Sequence, residues 1–332
     1  MKQLSRLNIV DASSKLRYRW LLGGLSELTG IPKKHWRKAI AIAENPKIIL
    51  ETEKDGRIKK QIFRYGFCSW IKKDPHKDRK ILEPHPNLQK VLRPLGQWVV
   101  SLSPAHPRAF GFVLERNGKM AVEELQFLLK TKKPHHFGVD IADAFPSIDD
   151  KMVFEALKKL GIESCLAEII SWLVTYQYDG KRRLPQGASS SPPLLNLVYQ
   201  PMCDEFEKIC TREKIFWSIY ADDINFVSAN LIPEETKQEL SAVPTKFGFK
   251  IKSKKTKDNL GKTIPHLLGL TVVDRRIHIS RRKKNKIRQI LYAIEKFEAY
   301  SPETALGYKA YLKLIYGKDE KNWPGWVSLH KR

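Results

Sequence analysis

The sequence lacks the features of a membrane protein or of a protein from an oxidising compartment. It has four cysteines in 332 residues, widely spaced and without a C-x-x-C pair, so neither a disulfide framework nor a structural zinc site is expected. Its first 18 residues are polar and basic, which argues against a signal peptide. The longest apolar runs fall far short of the roughly 20 residues that span a membrane. These absences predict a soluble, intracellular protein that does not span a membrane.

Acidic residues are also scarce. Asp and Glu number 36 against 60 Lys and Arg, a formal net charge of +24, while hydrophobic residues make up 42% of the chain. The apolar content is sufficient for a folded core and excludes a disordered or low-complexity chain. So large a positive charge repels itself unless the partner is a polyanion. Nucleic acid and an anionic membrane surface are the two candidates.

Hydrophobic patterning predicts an α+β fold. Residues 137–141 are typical of a short buried strand, and the helix after it has Ser147 as its expected N-cap and Gly161 as its stop. Residues 215–220 and 224–228 are expected to form two strands of a hairpin. The alternation of βα with ββ units fits a sheet backed by helices.

Acidic residues mark the ends of these strands. Asp140 ends the first strand, Asp143 follows it, and Asp222 and Asp223 lie at the tip of the hairpin. Carboxylates in such places are costly unless a cation neutralises them. Magnesium does so with carboxylates and substrate phosphates, and two ions can clamp an in-line displacement. A solvated turn or a structural salt-bridge cluster is the alternative interpretation.

Three motifs in chain order carry a resemblance to a known family. Residues 140–145 read D-I-A-D-A-F, residues 184–192 read L-P-Q-G-A-S-S-S-P, and residues 220–223 read Y-A-D-D. Together they resemble the reverse transcriptase family, over nearly the whole chain. The chain is most similar to bacterial retron-type enzymes, and a related bacterial reverse transcriptase of an anti-phage defence system fits equally well. The resemblance implies a right-hand polymerase fold, with fingers, a palm whose antiparallel sheet is backed by helices, and a helical thumb.

The resemblance also implies a division of the chain. The expected parts are an N-terminal helical extension over 1–45, fingers over 46–134 with 152–183 as a second segment, a palm over 135–151 and 184–272, and a thumb over 273–332.

By the same resemblance, the acids are the metal and catalytic residues. Asp140 and Asp222 are the expected principal ligands of two Mg²⁺ or Mn²⁺ ions, with Asp223 completing the cluster and the Ile141 carbonyl adding an oxygen. Residues 248–256 are similar to the next palm motif of the family, whose lysine protonates departing pyrophosphate. Lys255 is the match.

Other residues are expected to contact the nucleotide and the nucleic acid. Lys72 and Arg79 suit the β- and γ-phosphates, and the ring of Phe145 would exclude a ribose 2′-hydroxyl, unless it is an ordinary core residue. The expected nucleotide contacts are Lys72, Arg79, Asp143, Ala144, Phe145, Gln186 and Gly187. The expected nucleic-acid contacts are Tyr220, Gly269, Arg281, Arg282, Lys283 and Lys284. The last four lie in the most basic stretch, where residues 246–288 hold fifteen Lys or Arg and two Asp.

The function so implied is that of an RNA-directed DNA polymerase in a prokaryotic cytoplasm. It would extend a primer hydroxyl with dNTPs on a structured non-coding RNA and bind the RNA–DNA duplex. An effector protein is a further candidate partner, and no membrane partner is expected. One alternative is a template-independent or protein-primed nucleotidyltransferase of the same fold. Another is a non-catalytic nucleic-acid-binding scaffold.

Overall fold

The computed structural model describes residues 12–44, 48–54, 57–72, 79–124, 134–252, 257–260, 267–273, 276–297, 302–319 and 323–328. The helices in these residues are α1 (Ala12–Thr29), α2 (Lys33–Glu44), α3 (Pro86–Leu102), α4 (Gly118–Glu123), α5 (Ala144–Ser147), α6 (Asp150–Lys159), α7 (Ser164–Val174), α8 (Ser191–Arg212), α9 (Glu234–Lys246), α10 (Arg281–Phe297), α11 (Pro302–Tyr316) and α12 (Gly325–Ser328). The strands are β1 (Ile48–Lys54), β2 (Arg57–Phe63), β3 (Phe67–Lys72), β4 (Arg79–Pro84), β5 (His135–Asp140), β6 (Tyr176–Tyr178), β7 (Lys181–Arg183), β8 (Phe216–Tyr220), β9 (Asp223–Ser228), β10 (Lys257–Asp258), β11 (Leu270–Val273) and β12 (Arg276–Ile279).

The chain forms two compact units that alternate along the sequence. The first comprises Met1–Pro107 and Ala142–Asp204, and the second comprises Arg108–Ile141 and Glu205–Arg332. Helix α8 therefore begins in one unit and ends in the other. The boundaries given above for fingers, palm and thumb remain a prediction.

The first unit combines helices with three antiparallel hairpins, β1–β2, β3–β4 and β6–β7. Helix α3 shows how the sequence specifies these elements. Pro86 opens the helix, and His85 caps it by accepting a hydrogen bond at Nδ1 from the Asn87 N–H at 3.1 Å. Its buried residues recur at the helical spacing that buries one face: Leu88, Val91, Leu92, Leu95 and Val99.

The second unit is organised around a four-stranded antiparallel sheet in the order β10–β5–β9–β8. Every residue of the central strand β5 is buried. Phe206, in the part of α8 that belongs to this unit, packs on Trp217 of β8 and Phe226 of β9, with ring centroids 5.4 and 5.3 Å apart. The sheet is therefore backed by a helix, as the sequence predicted.

The last part of the second unit adds the β11–β12 hairpin and helices α10 and α11. These elements share an apolar cluster with Val122, Phe216 and Val227. Leu267, just before the hairpin, also belongs to the cluster, and the hairpin and helices contribute Leu270, Val272, Ile277, Ile279, Ile287, Leu312 and Ile315.

One local expectation is wrong. Ser147 does not cap the long helix after β5, because it ends the short helix α5, where its hydroxyl donates to the Ala144 carbonyl at 2.8 Å. Asp149 caps α6 by accepting from the Met152 N–H at 2.9 Å. An aspartate is as good a cap as serine and adds a negative charge at the positive end of the helix. In the described residues, no helix has both the length and the apolar character to cross a membrane.

Candidate active site

The acidic residues of the second unit meet at one end of its sheet. In the β5–β9 pairing, Asp140 lies directly opposite Asp223. The Ile141 N–H donates to the Asp222 carbonyl at 2.8 Å, which extends the same pairing into the β8–β9 turn. Register alone therefore brings together Asp140, which is 7% exposed, and the two acids of the hairpin.

The β8–β9 turn is tight and is held by a segment that sequence reasoning missed. Tyr220 pairs with Asp223, and Ala221 between them has a left-handed φ of 57°, which costs a residue with a Cβ about 1 kcal/mol or more. The Phe110 N–H donates to the Ile219 carbonyl at 2.9 Å. This contact brings Gly111 so close that an added Cβ would lie 2.4 Å from the Ala221 nitrogen. A side chain at residue 111 would displace the turn.

Two lysines neutralise the carboxylates. The Lys252 ammonium donates to Asp140 Oδ1 and, at 3.1 Å, to Asp222 Oδ2, so it bridges the pair. The Lys252 backbone N–H also donates to the Asp140 carbonyl at 2.8 Å. The Lys257 ammonium lies 3.0 and 3.1 Å from the two carboxylate oxygens of Asp223. Each acid of the cluster is thus paired with an ammonium group.

The protonation equilibria reflect this crowding. Burial lowers the pKa of Lys252, but its hydrogen bonds to Asp140 and Asp222 outweigh that effect and the net pKa is raised, so the lysine stays charged. Burial raises the pKa of Asp223, and the charges of Asp140 and Asp222 push it in the same direction against the opposing effect of Lys257. The cluster therefore holds more negative charge than it can carry without cations.

The cluster has the chemistry of a divalent-metal site. Asp140, Asp222 and Asp223 supply the hard oxygen ligands that magnesium prefers. Within the part of the chain that the structure describes, no three His, Cys, Asp or Glu side chains are arranged as a metal-binding group, and lysine ammonium groups lie on the carboxylates instead. The three carboxylates are the kind of donors that fit a divalent cation.

A hydrogen-bond chain reaches Asp223 from inside the sheet. Asn225 Nδ2 donates to Asp223 Oδ1 at 3.2 Å, and Asn225 Oδ1 accepts from His136 Nε2 at 2.9 Å. Burial lowers the pKa of His136 to about 4, so at neutral pH the ring is uncharged with its proton on Nε2. These two hydrogen bonds fix the orientation of the Asp223 carboxylate.

A second network anchors the edge strand β10, which carries Lys257. His135 accepts the Ile232 N–H on Nδ1 at 2.7 Å and donates from Nε2 to Asp258 at 2.7 Å. Lys237 donates to the other Asp258 oxygen at 2.8 Å. Burial alone would raise the pKa of Asp258, but the hydrogen bonds from Lys237 and His135 lower it to about 2. This ionised aspartate ties β10 to the body of the unit.

The first unit collects residues predicted to contact the nucleotide. The Leu82 N–H of β4 donates to the Gln186 carbonyl at 2.8 Å. Gly187 has φ +125°, and a Cβ there would lie 2.8 Å from both Ile81 Cγ2 and the Leu82 carbonyl oxygen, so the contact requires glycine. The turn that holds Gln186 and Gly187 therefore lies directly on the β3–β4 hairpin. Lys72 and Arg79 pair with each other in that hairpin.

Helix α5 is tied to the same part of the first unit. Arg183 Nη1 donates to the Pro146 carbonyl at 2.7 Å, and the Leu184 N–H donates to the Ile148 carbonyl at 2.8 Å. The three predicted contacts at the start of the helix differ in exposure: Asp143 is exposed, Ala144 is buried and Phe145 is half-buried.

The remaining predicted residues lie in the second unit or outside the described residues. Lys255 is outside them, so its role stays a prediction. Gly269 has φ +76°, and a Cβ there would lie 2.5 Å from Lys283 Cδ. Tyr220 is 37% exposed.

The four basic residues at the start of α10 differ in how far their side chains are exposed. Arg281 and Arg282 are exposed. Lys283 is half-buried, with its ammonium 4.0 Å from the centre of the Tyr311 ring, and burial lowers its pKa. Lys284 lies 5.2 Å from the centre of the Trp326 ring. The two arginines are the ones that face solvent.

Comparison with known proteins decides the family. Residues 72–272 match the family model described as reverse transcriptase (RNA-dependent DNA polymerase), which covers more than half of the chain. The chain belongs to the reverse transcriptase family. This reverse transcriptase has the right-hand polymerase fold and is an RNA-directed DNA polymerase, as the motifs implied. Template RNA is therefore its partner, and its family uses divalent metal ions. The scaffold alternative is wrong, and the template-independent or protein-primed alternative is not favoured.

The curated relatives of this reverse transcriptase are retron enzymes. Retron Ec86 reverse transcriptase of Escherichia coli is 26% identical over 280 residues, covering 80% of this chain and 81% of that protein. Retron Mx65 reverse transcriptase of Myxococcus xanthus is 25% identical over 260 residues, covering 71% and 58%. Among solved structures, apo telomerase from Candida tropicalis aligns with a TM-score of 0.48 and 11% identity, covering 85% of this chain and 56% of that one. A likeness of that strength carries no functional information.

The polar network of this reverse transcriptase should make its stability depend on pH. The pKa of His136 falls from an ordinary 6.5 to about 4 on folding, so below about pH 6.5 the unfolded chain binds a proton that the folded protein does not. The contribution of His136 to folding stability is therefore fully present above pH 6.5 and is lost as the pH falls towards 4. Between pH 7.5 and 5 this residue should account for a loss of about 2 kcal/mol.

His136→Gln, which keeps a hydrogen-bond donor but does not titrate, isolates this effect. Urea unfolding of both proteins at pH 7.5 and 5 measures it. On going from pH 7.5 to pH 5, the unfolding free energy of the wild type should fall by about 2 kcal/mol more than that of the variant. An unchanged difference would mean that His136 is not held neutral in the fold.

Proposed function

We propose that this reverse transcriptase is a retron-type enzyme that copies a structured non-coding RNA into DNA, in a retron or a related anti-phage defence system. The similarity to Ec86 reverse transcriptase extends over four fifths of both chains. The observation that carries the catalytic part of the proposal is the placement of Asp140, Asp222 and Asp223 at one end of the β10–β5–β9–β8 sheet. An effector protein is a further partner in the proposal.

In this proposal the acids hold two Mg²⁺ ions. Asp140 and Asp222 are the principal ligands, Asp223 completes the cluster, and the carbonyl of Ile141 adds an oxygen. Bound there, the ions supply activation of the primer 3′-hydroxyl and neutralisation of the charge on the α-phosphate and pyrophosphate. Asn225 keeps the Asp223 carboxylate in one orientation. Lys255 gives a proton to the departing pyrophosphate.

The first unit supplies the residues that bind the incoming dNTP. Lys72 and Arg79 are backbone partners in the last pair of the β3–β4 hairpin, at the end where the two strands are connected, and an ammonium and a forked guanidinium suit the β- and γ-phosphates. Gln186 and Gly187 lie against β4 of the same hairpin and contact the nucleotide and the template base. Asp143 and Ala144 complete the nucleotide contacts.

The end of the chain binds the template–primer duplex. Arg281 and Arg282 are exposed at the start of α10 and follow the phosphates of the duplex, which makes binding strongly salt-dependent. Lys283 and Lys284 support that surface from beside Tyr311 and Trp326. Tyr220 and the turn at Gly269 contact the primer end.

Asp140→Asn tests the catalytic assignment. The substitution keeps the shape of the side chain but removes the charge that holds a metal ion, so primer extension on an RNA template should fall by about a hundredfold or more. Asp179→Asn is the matched control, because Asp179 is exposed in the β6–β7 turn of the first unit, and it should extend primers at the wild-type rate. Wild-type extension by Asp140→Asn would refute the assignment.

Phe145→Ala tests the choice of sugar. Removing the ring opens space for a 2′-hydroxyl, so the preference for dNTPs over rNTPs should fall by about tenfold or more. Phe145→Tyr keeps the ring and should keep the preference. Single-nucleotide incorporation with matched dNTP and rNTP measures both variants, and an unchanged preference in Phe145→Ala would make Phe145 an ordinary packing residue.

The nucleic acid that purifies with the protein tests the retron assignment. Sequencing both its RNA and its DNA should give one structured RNA and a DNA copy complementary to part of it. DNA with no complementary RNA would favour the template-independent activity instead. A mixture of unrelated RNAs would contradict the retron assignment while leaving the polymerase intact.

A further inference from the structure

We propose that Lys252 is a built-in counter-ion of the acid cluster: its ammonium group occupies the place between Asp140 and Asp222 that a divalent ion takes, and it must leave before the ion binds. The inference rests on the proposed metal site. It adds that metal binding in this enzyme is a competition with a residue of its own chain. Removing Lys252 should therefore tighten metal binding, not weaken it.

The geometry distinguishes Lys252 from an ordinary surface lysine. Its ammonium contacts one oxygen of Asp140 and one of Asp222, so a single cation bridges two carboxylates. The Asp140 side chain is 10% exposed and the Lys252 side chain 21%, so water replaces these contacts poorly. An ammonium bridge of this kind satisfies the same two carboxylates that the metal site needs.

The backbone at Lys252 is hydrogen-bonded to the sheet, independently of its side chain. Its N–H donates to the Asp140 carbonyl at 2.8 Å, and the preceding Ile251 forms a bridge with Ile141. The ammonium is carried on a flexible four-carbon stem. It can therefore leave the carboxylates by side-chain rotation, without any change in the sheet. Among the acids that the structure describes, the second lysine, Lys257, pairs with Asp223 alone, and its side chain is 41% exposed, so it does not form a bridge.

The counter-ion has two consequences. Without metal, it removes the repulsion between Asp140 and Asp222 and so stabilises the free enzyme. In the presence of metal, it lowers the apparent affinity, because part of the binding energy is used to displace it. Loss of the lysine should reverse both effects, so that the metal-free protein is less stable and the ion binds more tightly.

Mn²⁺ titration of the full chain without nucleotide tests the proposal, with free Mn²⁺ followed by its electron paramagnetic resonance signal. Lys252→Met removes the charge and keeps the stem. Lys250→Met is the matched control, because Lys250 is exposed two residues away and its loss changes net charge equally. Lys252→Met should bind Mn²⁺ about tenfold more tightly than wild type or Lys250→Met. If Lys252→Met binds Mn²⁺ with an affinity equal to or weaker than that of the wild type, the proposed counter-ion role of Lys252 is wrong.

Thermal unfolding gives a second readout. Lys252→Met should melt below wild type in EDTA and gain more from saturating Mn²⁺. A variant that folds only with Mn²⁺ would support the proposal through stability. A variant that stays unfolded at saturating Mn²⁺, with Lys252→Gln behaving alike, would contradict it, because the lysine would then be essential for another reason.

Mn²⁺ binding by Asp222→Asn distinguishes a failure of the proposed metal site from a failure of the counter-ion alone. If this variant loses Mn²⁺ binding while Lys252→Met binds as wild type does, the metal site stands and only the counter-ion fails. If Asp222→Asn and Asp140→Asn both bind Mn²⁺ like wild type, the proposed metal site fails, and the counter-ion fails with it.

Discussion

Repulsion between carboxylates that the sheet forces together is the constraint on which the site depends. The β5–β9 register places Asp140 opposite Asp223, and the β8–β9 turn adds Asp222 beside them. Three carboxylates at one end of a sheet cannot all remain ionised unless cations are present. In this chain Lys252 and Lys257 provide the cations within the protein. A polymerase needs such a concentration of negative charge, because that is what draws divalent ions to the reacting phosphates.

Much of the second unit holds those carboxylates in position. The backbone before Gly111 pairs with β8 and closes on the strained turn at Ala221. The buried pair His136 and Asn225 orients Asp223 from within the sheet. The ionised Asp258 fastens β10, and with it Lys257. The buried polar residues of this sheet thus support the acids at its end.

The sequence was sufficient to predict the α+β fold and the placement of the three acids at strand ends, because both depend on strong local signals. An apolar strand ending in Asp140 and an apolar hairpin broken by Asp222 and Asp223 have few alternative arrangements. Period-two alternation also contained the signal for two missed residues: His136 lies on the same face of β5 as Asp140, and Asn225 on the same face of β9 as Asp223.

Other parts of the site could not be predicted. Lys252 and Lys257 lie in a stretch where lysine recurs at almost every second position, so no pattern marks the two that reach the acids. Only the tertiary pairing of Ile141 with Ile251 selects Lys252. Gly111 was missed because its need for a bare Cα arises from a turn more than a hundred residues later in the chain. Long-range contacts of this kind leave no trace in local sequence.

A crystal structure of the enzyme with Mn²⁺, a dNTP and an RNA–DNA primer–template would test the central claim most directly. Anomalous scattering would locate the manganese. The account predicts anomalous peaks within about 2.4 Å of carboxylate oxygens of Asp140 and Asp222, with the Lys252 ammonium moved away from both. Manganese bound elsewhere, with Lys252 still bridging the two carboxylates beside an ordered nucleotide, would contradict it.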